Sequence, residues 1–163
     1  LAIVSQEGEG TTVYVSLPFC VYRSHQDSEE LPAEHKPCDP HAWTILLVDD
    51  DRVTQLQIKH LLKRQGITVH VAENGEKALE KMSKEDVDCI LMDVEMPVLD
   101  GVEATKRIRA SNTNFSKIPV IALTAYAMSG DRETFLQAGM NDYIPKPVDR
   151  NELFEVLNRY LGG

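Results

Sequence analysis

The chain has 163 residues, 42% hydrophobic and 26% charged, with 17 Lys and Arg against 26 Asp and Glu for a formal net charge of -9. Those proportions fit one globular domain with a tail and exclude a disordered polyelectrolyte, and the negative charge repels a phosphate backbone, so direct nucleic-acid binding is disfavoured. No apolar stretch approaches the roughly 18 residues that span a bilayer, and no basic region followed by an apolar core opens the chain, so neither membrane contact nor a secretory leader is expected of these residues.

Residues 1–20, LAIVSQEGEGTTVYVSLPFC, alternate Val13, Val15 and Leu17 with polar or amphipathic neighbours, which predicts a strand pair. Glu7-Gly8-Glu9-Gly10 is expected to form its turn, because glycine tolerates the positive φ of tight hairpins. A lone hairpin is marginal in water. This one is therefore expected to pack on a neighbouring surface or to be exchanged between two copies of the chain. The start at Leu1, running straight into a strand pattern, predicts a piece of a longer protein.

Residues 21–43 carry Ser, Asp, Glu, His and three prolines, Pro32, Pro37 and Pro40, without apolar period, and read as a linker. His35-x-x-Cys38-x-x-His41 within it lacks a fourth ligand at a recognised spacing, which weighs against a metal site there. The cysteines Cys20, Cys38 and Cys89 are odd in number and irregularly spaced, so no disulfide framework is expected, and a reducing cytoplasm suits them. Cys89, inside an apolar run, reads as a small core residue.

From Trp43 onward, short apolar runs alternate with segments of helical period, which predicts a parallel sheet covered by helices. The runs are 45–48, 68–72, 89–92, 120–123 and a short 143–144. Three are nearly all apolar, as strands buried on both faces should be. Thr54, Ile58, Leu61 and Leu62 mark the first helix, with Gly66 as its stop, and Leu153, Val156, Leu157, Tyr160 and Leu161 mark the last, with Asp149 and Glu152 at capping-box spacing. The pattern is a (βα)5 unit. Pro145 cannot donate to a ladder, so the fifth strand is expected at an edge or to end early. His60 and His70 fall on element surfaces with no visible partner and receive no role.

The charges fall where the strands end. Asp49, Asp50 and Asp51 follow the first run, Asp93 the third, Thr124 the fourth, and Lys146 comes after the fifth. In an open parallel α/β sheet these carboxyl ends share one edge, where the binding crevice lies. Two carboxylates about 4 Å apart repel by roughly 4 kcal/mol at an effective dielectric near 20, so gathering Asp49, Asp50 and Asp93 there implies a divalent cation. All-oxygen ligation, with no cysteine at that edge, favours Mg2+. A carboxylate held beside Mg2+, a lysine and a hydroxyl is equipped to attack a phosphoryl group.

LLVDDD at 46–51, ILMDVEMPVLDG at 90–101, VIALTAYA at 120–127 and YIPKPV at 143–148 together resemble the four motifs of response-regulator receiver domains, over about residues 44–161. That resemblance implies a flavodoxin-like, doubly wound fold with strand order 2-1-3-4-5. It implies Asp93 as phosphoacceptor, Asp49 and Asp50 as the acidic pair for Mg2+ with the Glu95 backbone carbonyl, and Lys146 as the partner of the phosphoryl group, preceding a cis proline bond at Pro147. It further implies Thr124 as the switch hydroxyl, Ala125 as the small residue beside the phosphate, and Tyr143 as the aromatic that reorients on activation. IVSQEGEGTTVYVSLP, near the start, resembles the closing hairpin of the ATP-binding domain of sensor histidine kinases. The expected organisation is then hairpin 1–20, linker 21–43 and receiver 44–163 of a hybrid histidine kinase.

The expected function is phosphorelay: a phosphoryl group passes from the phosphohistidine of a histidine phosphotransfer domain, or of the parent kinase, to Asp93, and the face of the fourth helix, fifth strand and fifth helix signals the change. Any membrane anchor of the parent would lie outside these residues, which also lack the nucleotide-binding boxes of a kinase. Two rivals are an aspartate-nucleophile phosphatase, which expects a second Asp where Glu95 stands, and a degenerate receiver that only binds.

Overall fold

The structure, a computed structural model, describes residues 2–6, 10–14, 43–111, 113–125 and 131–162. The chain divides into two compact units, Leu1–His35 and Lys36–Gly163. In the first, β1 (Ala2–Gln6) and β2 (Gly10–Tyr14) pair antiparallel, with Gln6 opposite Gly10. Gly10 thus stands in the ladder and not in the turn. The rest of the expected turn, Val15 and Leu17, the whole of residues 21–42 and with them His35, Cys38 and His41 lie outside the described residues.

The second unit runs β3 (Thr44–Val48), α1 (Arg52–Lys63), β4 (Thr68–Ala72), α2 (Gly75–Met82), β5 (Cys89–Asp93), α3 (Gly101–Ala110), a 3-10 turn (Asn114–Lys117), β6 (Val120–Thr124), α4 (Asp131–Gln137), β7 (Asp142–Pro145) and α5 (Arg150–Leu161). Its five strands are parallel in the order β4-β3-β5-β6-β7, which is 2-1-3-4-5 within the unit. The fold is the flavodoxin-like arrangement.

Why these residues take these places follows from period and burial. Alternate side chains of a strand point to opposite faces. Leu46, Val48, Ile90, Met92, Val120 and Ala122 therefore meet α2, α3 and α4 on one side, while Ile45, Leu47, Leu91, Ile121 and Leu123 meet α1 and α5 on the other. Each fully buried aliphatic side chain contributes roughly 1.5–3 kcal/mol. The two edge strands, β4 and β7, are only part-buried, and Pro145 ends β7 at the edge where a missing donor does least harm. Cys89 is a core residue, its thiol pushed up to about 12 by burial.

Asx caps start four of the helices: Asp51 for α1, Asn74 for α2, Asp100 for α3 and Asp149 for α5. Each side chain accepts from orphan amides of the first turn, typically worth about 1 kcal/mol. Because every helix follows a strand, the caps stand on the sheet's carboxyl edge. Gly66 after α1 and Gly139 after α4 take the positive φ that these helix ends require.

His70 does have a partner. Its Nδ1 lies 2.7 Å from Oε2 of Glu85, because α2 returns the chain antiparallel to β4 and sets residue 85 beside the strand. Arg109 of α3 fastens the opposite edge of the sheet: Nε donates to Gly139 O at 2.8 Å, Nη1 to Ser116 O at 2.9 Å and Ile118 O at 2.8 Å, and Nη2 to Asn141 Oδ1 at 2.8 Å.

Candidate functional site

Four strand ends converge. Asp49 and Asp50 follow β3, Asp93 ends β5, Thr124 ends β6, and Lys146 follows β7. Lys146 Nζ bridges two of them, 2.8 Å from Asp49 Oδ2 and 2.8 Å from Asp93 Oδ2. Asp49, Asp93 and Thr124 are buried, while Asp50 is exposed at the mouth. One carboxylate oxygen each from Asp49, Asp50 and Asp93 lies within 4.8 Å of the others.

Local structure fixes each group. Asp51 is turned away from this cluster by capping: its carboxylate accepts from Val53 N at 3.2 Å, Thr54 N at 2.9 Å and Thr54 Oγ1 at 2.7 Å. Those bonds, the Thr54 hydroxyl first, lower its pKa. Asp49 Oδ1 accepts from the Asp51 amide at 2.8 Å, and Gln55 Nε2 donates to the Asp49 carbonyl at 2.6 Å. Asp93 Oδ1 accepts from the Glu95 amide at 3.2 Å. The Lys146 amide donates to Thr124 O at 2.7 Å, and the Lys146–Pro147 bond is cis, as the resemblance implies. Gly101 permits the closest approach: a Cβ there would sit 2.0 Å from the Asp93 carbonyl oxygen, so the start of α3 can press against the end of β5 only without a side chain.

The electrostatics are unbalanced. Burial pushes the Asp93 carboxyl above its ordinary range, and the Asp49 charge adds to this, against the pull of Lys146. Burial alone would lower Lys146, yet its close contacts with, and charge attraction to, Asp49 and Asp93 outweigh it and hold the ammonium above its ordinary value. Three carboxylates face one ammonium. Asp49 Oδ2, wholly buried, has the charge contact with Lys146 but no well-directed hydrogen bond. A buried oxygen left so, in an all-oxygen set with excess negative charge, fits a hard divalent cation.

Of the other residues expected here, Ala125 follows β6 and is exposed, and Tyr143 lies in β7 opposite Ala122, half-buried against the core on the α2, α3 and α4 side. Glu95 is exposed; its amide touches Asp93. Gln55 and Gly101 also belong to this arrangement. Gln55 gives no local sign, whereas Gly101 after Asp100 reads first as a turn and helix start.

A sequence profile described as "Response regulator receiver domain" matches residues 45–158. The Hybrid signal transduction histidine kinase I of Dictyostelium discoideum is 43% identical over 123 residues, 72% of this chain but only 7% of that protein. The chain thus spans a small part of such relatives. The crystallised receiver domain of a sensor histidine kinase from Pseudomonas aeruginosa PAO1, with a magnesium ion in its active-site cleft, is 46% identical with a TM-score of 0.69, covering 75% of this chain and 99% of that one. The receiver domain of the Saccharomyces cerevisiae response regulator Ssk1, crystallised with the histidine phosphotransfer protein Ypd1, is 29% identical with a TM-score of 0.66, covering 72% and 88%.

Proposed function

Because the chain belongs to the response-regulator receiver domain family, we propose that Asp93 accepts a phosphoryl group from the phosphohistidine of a histidine phosphotransfer domain or of the parent kinase. The observation that carries the proposal is the Lys146 ammonium seated 2.8 Å from both Asp49 and Asp93, at a rim shared with Asp50 and Thr124. The phosphatase rival expects Asp where Glu95 stands, and the sequence profile that matches is that of receiver domains.

Asp93 is buried beside like charges, and a carboxylate oxygen there attacks phosphorus in line with the donor nitrogen. The P–O bond forms as the P–N bond breaks, and the electron pair stays on the imidazole nitrogen. Lys146 exchanges its contact with Asp93 for one with a phosphoryl oxygen. The Thr124 hydroxyl donates to another, and Ala125 leaves room for it. Asp49, Asp50, Asp93 and the Glu95 carbonyl would hold Mg2+, which when bound supplies positive charge against the phosphoryl oxygens. Tyr143 then reorients, and the face of α4, β7 and α5 carries the change to partners.

These residues work in the cytoplasm as part of a hybrid histidine kinase, with residues 1–20 the closing hairpin of its ATP-binding domain and 21–43 the linker. The relative named as a hybrid kinase supports this reading. Intact-mass measurement after incubation with acetyl phosphate tests the phosphoacceptor role: one added phosphoryl group is expected with Mg2+ and none with a chelator. Continuous turnover of phosphate esters without a covalent adduct would contradict it.

A further inference from the structure

Asp49 is tied down at every polar atom. Its amide donates to Ala72 O at 3.1 Å, Oδ1 accepts from the Asp51 amide at 2.8 Å, and Oδ2 lies 2.8 Å from Lys146 Nζ. Its carbonyl lies past the end of β3, where the ladder supplies no donor, and Gln55 Nε2 from α1 takes that place at 2.6 Å. Among the described residues no other group donates to this carbonyl. The opposite orientation of the amide would set Oε1 against the carbonyl oxygen, two acceptors face to face, so the Gln55 side chain can only donate here.

Asp50 is held differently. Its carboxylate is exposed and makes no hydrogen bond or ion pair among the described residues. Its position is therefore set by the backbone on each side. On the far side Asp51 is fixed as the cap of α1, its side chain accepting from Val53 and Thr54 and its carbonyl from the Gln55 amide. On the near side the planar Asp49–Asp50 peptide turns with the Asp49 carbonyl, and Gln55 is what holds that carbonyl. One side chain thus closes a loop from α1 back to the strand end, with Asp50 at its centre.

We infer that Gln55 is a positioning residue for the cation: by fixing the Asp49–Asp50 peptide it presets the carboxylate rim for a small ion of strict geometry and against a larger, more tolerant one. The inference rests on the reading of Asp49, Asp50 and Asp93 as the magnesium rim. Mg2+ demands near-ideal octahedral placement of oxygens at about 2.0–2.1 Å, whereas Ca2+ accepts variable numbers of oxygens at about 2.3–2.6 Å. Asp49 and Asp93 are both pinned by Lys146, so Asp50 is the ligand whose freedom decides between the two ions. The fold itself loses little without the amide. Gln55 lines a cleft of about 450 Å3 with Arg52, Ala72 and Lys77, open enough for water to bond the Asp49 carbonyl in its place. Water satisfies the carbonyl but does not fix the plane.

Titration of the full chain with Mg2+ and, separately, with Ca2+, followed by amide NMR shifts, reads the effect without any phosphoryl transfer. Gln55→Met keeps the length and helix propensity but cannot donate. Its Kd for Mg2+ is expected to rise about tenfold and its Kd for Ca2+ by less than about threefold, with Tm in Mg2+-free buffer within about 3 °C of wild type. Gln55→Glu also loses the donor at neutral pH, yet adds a negative charge that draws either cation. Its preference for Mg2+ over Ca2+ should still fall by about threefold or more. Gln57→Met, the same change at an exposed position of α1, should leave both constants within about twofold of wild type. An unchanged preference in both Gln55 variants overturns the inference, as does equal weakening of the two ions in Gln55→Met or the same loss of preference in Gln57→Met. Saturable binding of neither ion by the wild type overturns the magnesium reading itself.

Discussion

Asp93→Asn is expected to abolish acceptance of phosphate while making the folded chain more stable. The amide keeps the shape of the carboxylate but not its nucleophilic charge, so incorporation from acetyl phosphate with Mg2+ should fall by at least about 10³-fold, read by intact mass. Stability moves the other way because the native carboxyl sits above its ordinary value of 3.8 through burial first and the Asp49 charge next. An acid whose pKa is raised on folding favours the protonated form in the native state. The group costs the fold nothing below the unfolded pKa; the penalty sets in as pH rises above 3.8 and is complete once pH exceeds the folded pKa. Asparagine removes that penalty, so in Mg2+-free buffer at pH 7 the variant should melt about 2–5 °C higher than wild type, the difference shrinking as the pH is lowered toward that interval. A variant that still takes up phosphate at the wild-type rate would displace Asp93 from its role. A lower melting temperature would contradict the account of its burial.

Lys146→Met is expected to be the most damaging single change for the fold around the site. Methionine replaces the aliphatic stem but not the ammonium, and it leaves Asp49, fully buried, and Asp93 facing each other without their shared counter-charge. Removing one partner from a buried ion pair costs about 3–5 kcal/mol, which chemical denaturation would read. Phosphate acceptance should fall by about 10²–10³-fold, since the group that neutralises a phosphoryl oxygen is lost. The Lys146 ammonium titrates above its ordinary value, so its contribution is fully present below pH 10.5 and is lost as pH rises through the higher folded value. At neutral pH the wild type therefore has all of it. Combining the change with Asp93→Asn should restore much of the stability, because the repulsion disappears with one carboxylate. Strict additivity of the two would show that packing, and not charge, is what Lys146 contributes.

How far the sequence could be read depended on whether the relevant physics was local. The runs 45–48, 89–92 and 120–123 are apolar throughout because both faces of β3, β5 and β6 are covered, and that pattern is visible without coordinates. The same holds for the site. Asp49, Asp93, Thr124 and Lys146 each stand at or just after a strand's carboxyl end, and parallel topology alone brings those ends to one edge. What remained hidden depends on contacts between distant residues. Arg109 reaches acceptors in three later segments, up to 32 residues away, and nothing near it in sequence announces them. His70 meets Glu85 only once α2 has folded back along β4. Asp51, adjacent to the two pocket aspartates, is a helix cap, and the division of labour within Asp49-Asp50-Asp51 needed the bonds to Val53 and Thr54 to be seen. Val98, whose φ is +73°, offers no sign at all, since a valine in a loop is the residue least expected at positive φ.

The most direct test follows the backbone amides during a Mg2+ titration of the wild-type chain by NMR. Saturable shifts confined to the residues around Asp49, Asp50, Asp93 and Glu95, lost in Asp50→Asn, are the predicted result. Shifts centred elsewhere, or none that saturate, would contradict a shared carboxylate rim that holds the cation beside Asp93.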